Sequence, residues 1–319
     1  MKSEFDFINY IKKSYGLAAI GDDCAILPKD DKTDMVITAD MLVEDIDFRL
    51  EWTTPEFLGH KALAVSLSDI AAMGAVPKWA MLSIGVPIGL WNSDFLDGFY
   101  QGWHSLANNF EVELIGGDIS KTPEKFVIDS IVGGETPKGN AILRSGAKRG
   151  DSIFVTEKLG GSAAGLYLLN DGIKLEDSEV DKEFDLIRKH LTPMPRISYG
   201  VWLNQGNVAS AMLDISDGLL SDLNHLCEQS NVGARLYTEK IPLDDNVADI
   251  LGSDEASLEN ALNGGEDFEL LFTAKAENVS TYFKGIFPCI GEITSNIGVI
   301  ELATDGQVEI IQPSGYQHF

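Results

Sequence analysis

The sequence is poor in cysteine and in positive charge, and no apolar run in it reaches the ~18 residues that a membrane helix needs. The three cysteines, Cys24, Cys227 and Cys289, are widely spaced and odd in number. They read as free thiols of a reducing cytoplasm, and their spacing offers no zinc site. Lys and Arg total 24 against 50 Asp and Glu, a net charge of −26. A surface of that sign repels phosphate backbones and anionic lipid, so neither nucleic acid nor membrane is expected as a partner. The first residues, MKSEFDFINYIKKSYG, are too polar and acidic for a secretory signal. No internal repeat or low-complexity tract occurs. There is no Walker GxxxxGK[ST] loop, no EF-hand loop and no protein-kinase HRD or DFG set.

What is present is a chain of 319 residues, 44% hydrophobic, enough for one large or two medium cores. Strand-like and helix-like segments alternate. Residues 35–40, 79–87, 112–118 and 126–134 predict strands in the first half, with helices from Thr54-Pro55-Glu56 to about Gly74 and from Asn92 to Phe110. Residues 135–151, rich in Gly, Lys and Arg, read as a domain junction. Beyond it, 152–156, 211–214 and 268–274 predict strands. Helices are predicted at 162–170, at 183–204 with a break near Pro193 and Pro195, and at 218–230. The fold class is α/β and α+β, in two domains.

One helix contains an anomaly. In KALAVSLSDIAAMGA (61–75), Asp69 shares a face with Ala62, Val65, Ser66 and Met73. The opposite side carries Ala64, Leu67 and Ala71, so no side is properly polar. A carboxylate buried there needs a neutralising partner. Other acids recur where apolar runs end beside Gly or Ser: Asp22 and Asp23, Asp40, Asp118, Asp214 and Asp217, Glu266 and Asp267. Each alone is an ordinary turn residue. Together they predict a converging carboxylate group that shares hard divalent cations, Mg²⁺ or Ca²⁺. Mg²⁺ commonly binds together with substrate phosphates, which suggests a nucleotide site. GGSAAG (160–165) reads either as a phosphate cradle at a helix start or as tight strand-to-helix packing.

The motifs GDDCA (21–25), TADMLVE (38–44), KALAVSLSDIAAMGA (61–75), IGGD (115–118), RSGAKRGD (144–151), GGSAAGL (160–166), DISDGL (214–219), GGEDFEL (264–270) and GYQHF (315–319) occur in this order. As a set spanning nearly the whole chain, they resemble the thiamine-monophosphate kinases. These belong to the superfamily of ATP-using enzymes that includes aminoimidazole ribonucleotide synthetase. The resemblance implies an N-terminal α/β domain, residues 1–137, contributing to a dimer-spanning β-barrel. A C-terminal α+β domain, residues 138–319, would complete the active-site cleft. It further implies a cytoplasmic homodimer that transfers the γ-phosphoryl group of ATP to thiamine monophosphate, assisted by several Mg²⁺ ions.

Carried over by motif, Asp23, Thr38, Ala39, Asp40, Asp69, Asp118, Asp214 and Asp217 would form the metal group, with Asp69, Asp118 and Asp214 central to catalysis. Gly117, Asp118, Arg144 and Ser216 would contact ATP. Asp47, Glu266 and Tyr316 would contact the thiamine side. Two positions depart from the family pattern: Ala39 stands in place of Thr, and Asp47 in place of a substrate-facing His. A backbone carbonyl at 39 serves as a ligand whatever the side chain; an ionised Asp47 accepts hydrogen bonds but does not donate them. None of the five histidines falls within the strand-end acids, in keeping with a mechanism that needs no general base. Segments 119–126 and 244–257 are candidates for a loop that closes over the site. The competing readings are an ATP-dependent synthetase of the same superfamily acting on a purine precursor, and a non-catalytic acidic protein that binds divalent metal.

Overall fold

The structure, a computed structural model, describes residues 4–175, 181–275, 277–278 and 285–316. Helix α1 (Glu4–Tyr15) precedes an open five-stranded sheet. Its strands are β1 (Ala25–Pro28), β2 (Thr33–Val43), β3 (Val76–Pro87), β4 (Glu113–Thr122) and β5 (Val127–Pro137), ordered β1-β2-β5-β3-β4. Helix α2 (Pro55–Ala72) lies between β2 and β3 in sequence, and α3 (Ile88–Trp91) and α4 (Phe95–Asn109) between β3 and β4.

The second half holds β6 (Asp151–Val155), α5 (Gly161–Asn170), α6 (Asp181–Leu191), α7 (Ile197–Gln205), β7 (Ala209–Asp214), α8 (Leu219–Ser230) and β8 (Gly233–Tyr237). It continues with α9 (Val247–Leu251), α10 (Asp254–Asn263), β9 (Leu270–Lys275), β10 (Cys289–Thr294), β11 (Ile300–Thr304) and β12 (Gln307–Ile311). These strands form a seven-stranded sheet, β12-β11-β8-β10-β6-β9-β7, antiparallel except for the β11–β8 pair. The fold is thus a mixed α/β one with two sheets.

Helix α2 joins the halves. Thr54 caps it, its hydroxyl accepting the Phe57 N–H, and Pro55 opens its first turn. It has no polar side because it is enclosed on every side. A Cβ at Gly59 would lie 1.9 Å from the Phe99 carbonyl oxygen of α4, and one at Gly200 of α7 would lie 2.0 Å from that of Ala71. Only glycine permits such backbone approach. The main core accordingly mixes Leu67 and Ile70 of α2 with Phe154, Met212 and Phe272 of the second sheet.

Strand β2 shows why acids from this region reach α2. Burial alternates along it, so Val36, Thr38 and Leu42 point inward, and Asp40 falls on the same face. The strand expected to end at Asp40 continues to Val43, and the one expected to end at Asp118 continues to Thr122. These two acids therefore sit within strands rather than at their ends. Nor are the two candidate closing segments irregular loops: 119–122 complete β4, and 244–257 contain α9 and the start of α10. No helix among the described residues is long and apolar enough to cross a membrane.

Candidate active site

The carboxylates of Asp23, Asp69 and Asp214 converge, with one oxygen from each within 4.8 Å of the others. They come from the loop before β1, the last turn of α2 and the last residue of β7. Thr38 Oγ1 donates to Asp69 Oδ2. The Arg144 guanidinium donates to Asp23 Oδ1 from Nη2 at 2.8 Å, and its backbone N–H donates to Asp22 at 2.7 Å. Burial, then the charges of Asp40, Asp214 and Asp23, push the Asp69 carboxyl well above the usual carboxylate range. Burial likewise raises Asp214 to about 7 and Asp40 to about 6.

These residues fit a divalent cation. Asp23 Oδ2 and Asp40 Oδ2 are buried and have no hydrogen-bond partner among the described residues. Converging carboxylates stay ionised at neutral pH only with added positive charge, and oxygen-only donors suit Mg²⁺. Among the described residues, Arg144 on Asp23 is the one ion pair made to this trio.

The remaining site residues fall around this centre in distinct ways. The DISDGL loop is held by the buried Asp222, whose Oδ2 accepts the N–H groups of Ser216, Asp217 and Gly218, each at 3.1 Å. Tyr316 N–H donates to the Asp217 carbonyl. Burial raises the Tyr316 phenol, as do the charges of Asp47, Glu266 and Asp217, so the three residues read as facing thiamine share one locality. Asp47 Oδ2 accepts the Val43 N–H at 2.8 Å. Residues 317–319 of GYQHF lie outside the described residues.

Ala39 lies on the exposed face of β2. Gly117 and Asp118 lie on the exposed edge strand β4, outside the trio. A Cβ at Gly117 would lie 1.8 Å from the Leu82 carbonyl oxygen, so β4 and β3 meet closely there.

Of the two readings of GGSAAG, packing is the one the structure supports. The N–H groups of Gly160 and Ser162 in GGSAAG donate to Asp267 at 2.7 and 3.1 Å, so the chain's own carboxylate takes the place of a phosphate. Packing explains the glycines: a Cβ at Gly165 would lie 2.2 Å from the Leu186 carbonyl oxygen. A histidine distant in sequence also meets one of these acids in space. His190 Nδ1 lies 3.2 Å from Glu266 Oε2, and Lys61 Nζ donates to the same oxygen at 2.9 Å. Sequence reading missed Lys61, His190 and Asp222. Lys61 carried a usable signal, a lysine in the same apolar helix as Asp69.

Comparison with known proteins places this geometry. The model of the AIR synthase related protein N-terminal domain matches residues 21–136, and that of the C-terminal domain matches residues 148–308. The thiamine-monophosphate kinase of Salmonella typhimurium is 39% identical over 306 residues, covering 94% of this chain and 91% of its own. That of Bacillus subtilis is 36% identical and covers 99% of both. A solved structure described as AaThiL complexed with AMPPCP and TMP superposes with a TM-score of 0.89 at 36% identity, covering 99% of this chain and 97% of its own. The chain therefore belongs to the AIR synthase related family and, within it, to the thiamine-monophosphate kinases.

Proposed function

We propose that the chain transfers the γ-phosphoryl group of ATP to the phosphate of thiamine monophosphate, giving ADP and thiamine diphosphate. The observation that carries this reading is the convergence of the Asp23, Asp69 and Asp214 carboxylates within 4.8 Å. Its relatives are named thiamine-monophosphate kinases, and one bears AMPPCP and TMP.

Asp23, Asp69 and Asp214 would hold Mg²⁺ together with Thr38, the Ala39 carbonyl, Asp40, Asp118 and Asp217. Mg²⁺, when bound, neutralises repulsion between the two polyanions and polarises the transferring group. The chain's own contribution is to position the substrates. Arg144 brings a guanidinium to the ATP phosphates, with Gly117, Asp118 and Ser216 as further contacts. Asp47, Glu266 and Tyr316 hold the thiamine side. The acceptor needs no general base, because a phosphate monoester with a second pKa near ~6 is already largely ionised at neutral pH.

The enzyme acts as a cytoplasmic homodimer in this reading, with residues 1–137 and 138–319 as its domains. Strand β4 supports the dimer: it is an unpaired edge along which Leu114, Ile115 and Ile119 are exposed. Pairing with a twin would extend the open five-stranded sheet toward a barrel spanning both protomers. The Gly117–Asp118 contacts would then lie beside the seam.

Incubation with γ-labelled ATP, Mg²⁺ and thiamine monophosphate is expected to yield labelled thiamine diphosphate and ADP in equal amounts. ADP release dependent on a purine precursor instead would favour the synthetase reading. Mg²⁺ binding without any turnover would favour the non-catalytic one.

A further inference from the structure

Asp69 is not the only charge inside helix α2. Lys61 lies a little over two turns before it, about 12 Å along the axis, and is 1% exposed. Its Nζ donates to Glu266 Oε2 at 2.9 Å. His190, also buried, brings Nδ1 to 3.2 Å from the same oxygen, with Ser162 Oγ 3.1 Å from that nitrogen. Burial, then the Lys61 charge, hold the His190 imidazole well below its usual range. The ring is therefore held neutral, with Nδ1 hydrogen-bonded to Ser162 Oγ and packed against the carboxylate oxygen.

The backbone is committed as well. Glu266 adopts φ 63°, in the left-handed region, and its N–H donates to the Ser216 carbonyl at 2.8 Å. A Cβ on the preceding Gly265 would lie 2.5 Å from that same carbonyl oxygen. Unfavourable backbone geometry of this kind persists where the surroundings enforce it, often where a side chain must be aimed. One buried donor, Lys61, and a buried imidazole edge thus converge on Oε2. The other oxygen, Oε1, takes no hydrogen bond among the described residues, and the side chain is 28% exposed.

We propose that Lys61 and His190 are positioning residues for the phosphate acceptor. They lock the Glu266 carboxylate so that Oε1 accepts from the amino group of the pyrimidine ring, at a span from the metal carboxylates set by helix α2. This inference rests on the reaction proposed above and adds how the acceptor is recognised. An ionised carboxylate accepts from an amine but meets a carbonyl at the same ring position with repulsion. The clamp therefore discriminates between thiamine monophosphate and its 4-oxo analogue.

The test compares kcat/KM for these two acceptors in the wild-type enzyme and in Lys61→Met, His190→Ala and His190→Asn. Lys61→Met and His190→Ala are expected to raise KM for thiamine monophosphate on the order of tenfold. They should lower kcat by a smaller factor and reduce the preference over the 4-oxo analogue by about as much as they raise KM. His190→Asn, which keeps a polar group of similar reach beside Ser162 and Glu266, is expected to restore most of the preference. The His190 pair gives the answer even if Lys61→Met does not fold. Variants that keep the wild-type preference, or lose activity on both acceptors alike, overturn the clamp. A wild-type enzyme that makes no thiamine diphosphate overturns the proposed reaction, and the clamp with it.

Discussion

The carboxylates of Asp69 and Asp214 approach within 4.8 Å, although one stands in the last turn of helix α2 and the other ends strand β7 of the second sheet. Helix α2 belongs to the half that carries the first sheet, so the site forms only where the two halves pack. It follows that the geometry of this carboxylate trio, packing of α2 and closeness of the sheets are linked properties of this chain.

The first consequence concerns pH. A carboxyl whose folded pKa lies above its unfolded value contributes stability below the unfolded pKa and loses it as pH rises through the folded one. Asp40 at about 6, Asp214 at about 7 and the raised Asp69 all behave this way. Metal-free protein is therefore expected to lose thermal stability as pH rises from about 5 to 8, by on the order of 5 °C. Saturating Mg²⁺ should restore it by binding the folded state. Melting curves in chelator and in Mg²⁺ across this range check the sign; a metal-free melting temperature that rises with pH contradicts it.

The DISDGL loop supplies a second prediction. Asp222 satisfies three backbone N–H groups at once. Asp222→Ala leaves them without their acceptor and is expected to cost about 3 kcal/mol of stability, with a weaker apparent affinity for ATP through Ser216. Denaturant unfolding and KM for ATP check both. Asp222→Asn keeps one acceptor oxygen and should lose less.

The edge strand supplies a third. Ile115 is 54% exposed on β4. Ile115→Glu places a charge on the proposed seam and is expected to shift the protein from twice the chain mass to the monomer mass in light scattering, with a parallel fall in activity. A wild-type monomer, or a variant that stays dimeric and active, contradicts the seam.

Much of this was legible in the sequence, and the failures share a cause. The cap at Thr54-Pro55 located α2, and the break at Pro193 and Pro195 separated α6 from α7, because both are local effects. Asp69 was identified as anomalous because helical spacing left it no polar face. Spacing did not reveal that Asp40 and Asp118 lie inside strands, because a strand continues wherever its backbone finds a partner, and that partner is distant in the chain. For the same reason Asp267 as the anion at GGSAAG, and His190 against Glu266, were invisible: each pairing joins segments far apart in sequence. Lys61 was available to the reasoning that picked out Asp69. A buried lysine and a buried aspartate in one apolar helix raise the same question, and here they have different partners.

The most direct measurement is the Mg²⁺-dependent formation of thiamine diphosphate by wild type and Asp69→Asn, each shown to be folded. The account predicts that the substitution lowers kcat at least ~100-fold, since it removes a carboxylate from the metal group, while far-ultraviolet circular dichroism stays unchanged. Near-normal Mg²⁺-dependent turnover by Asp69→Asn would contradict it.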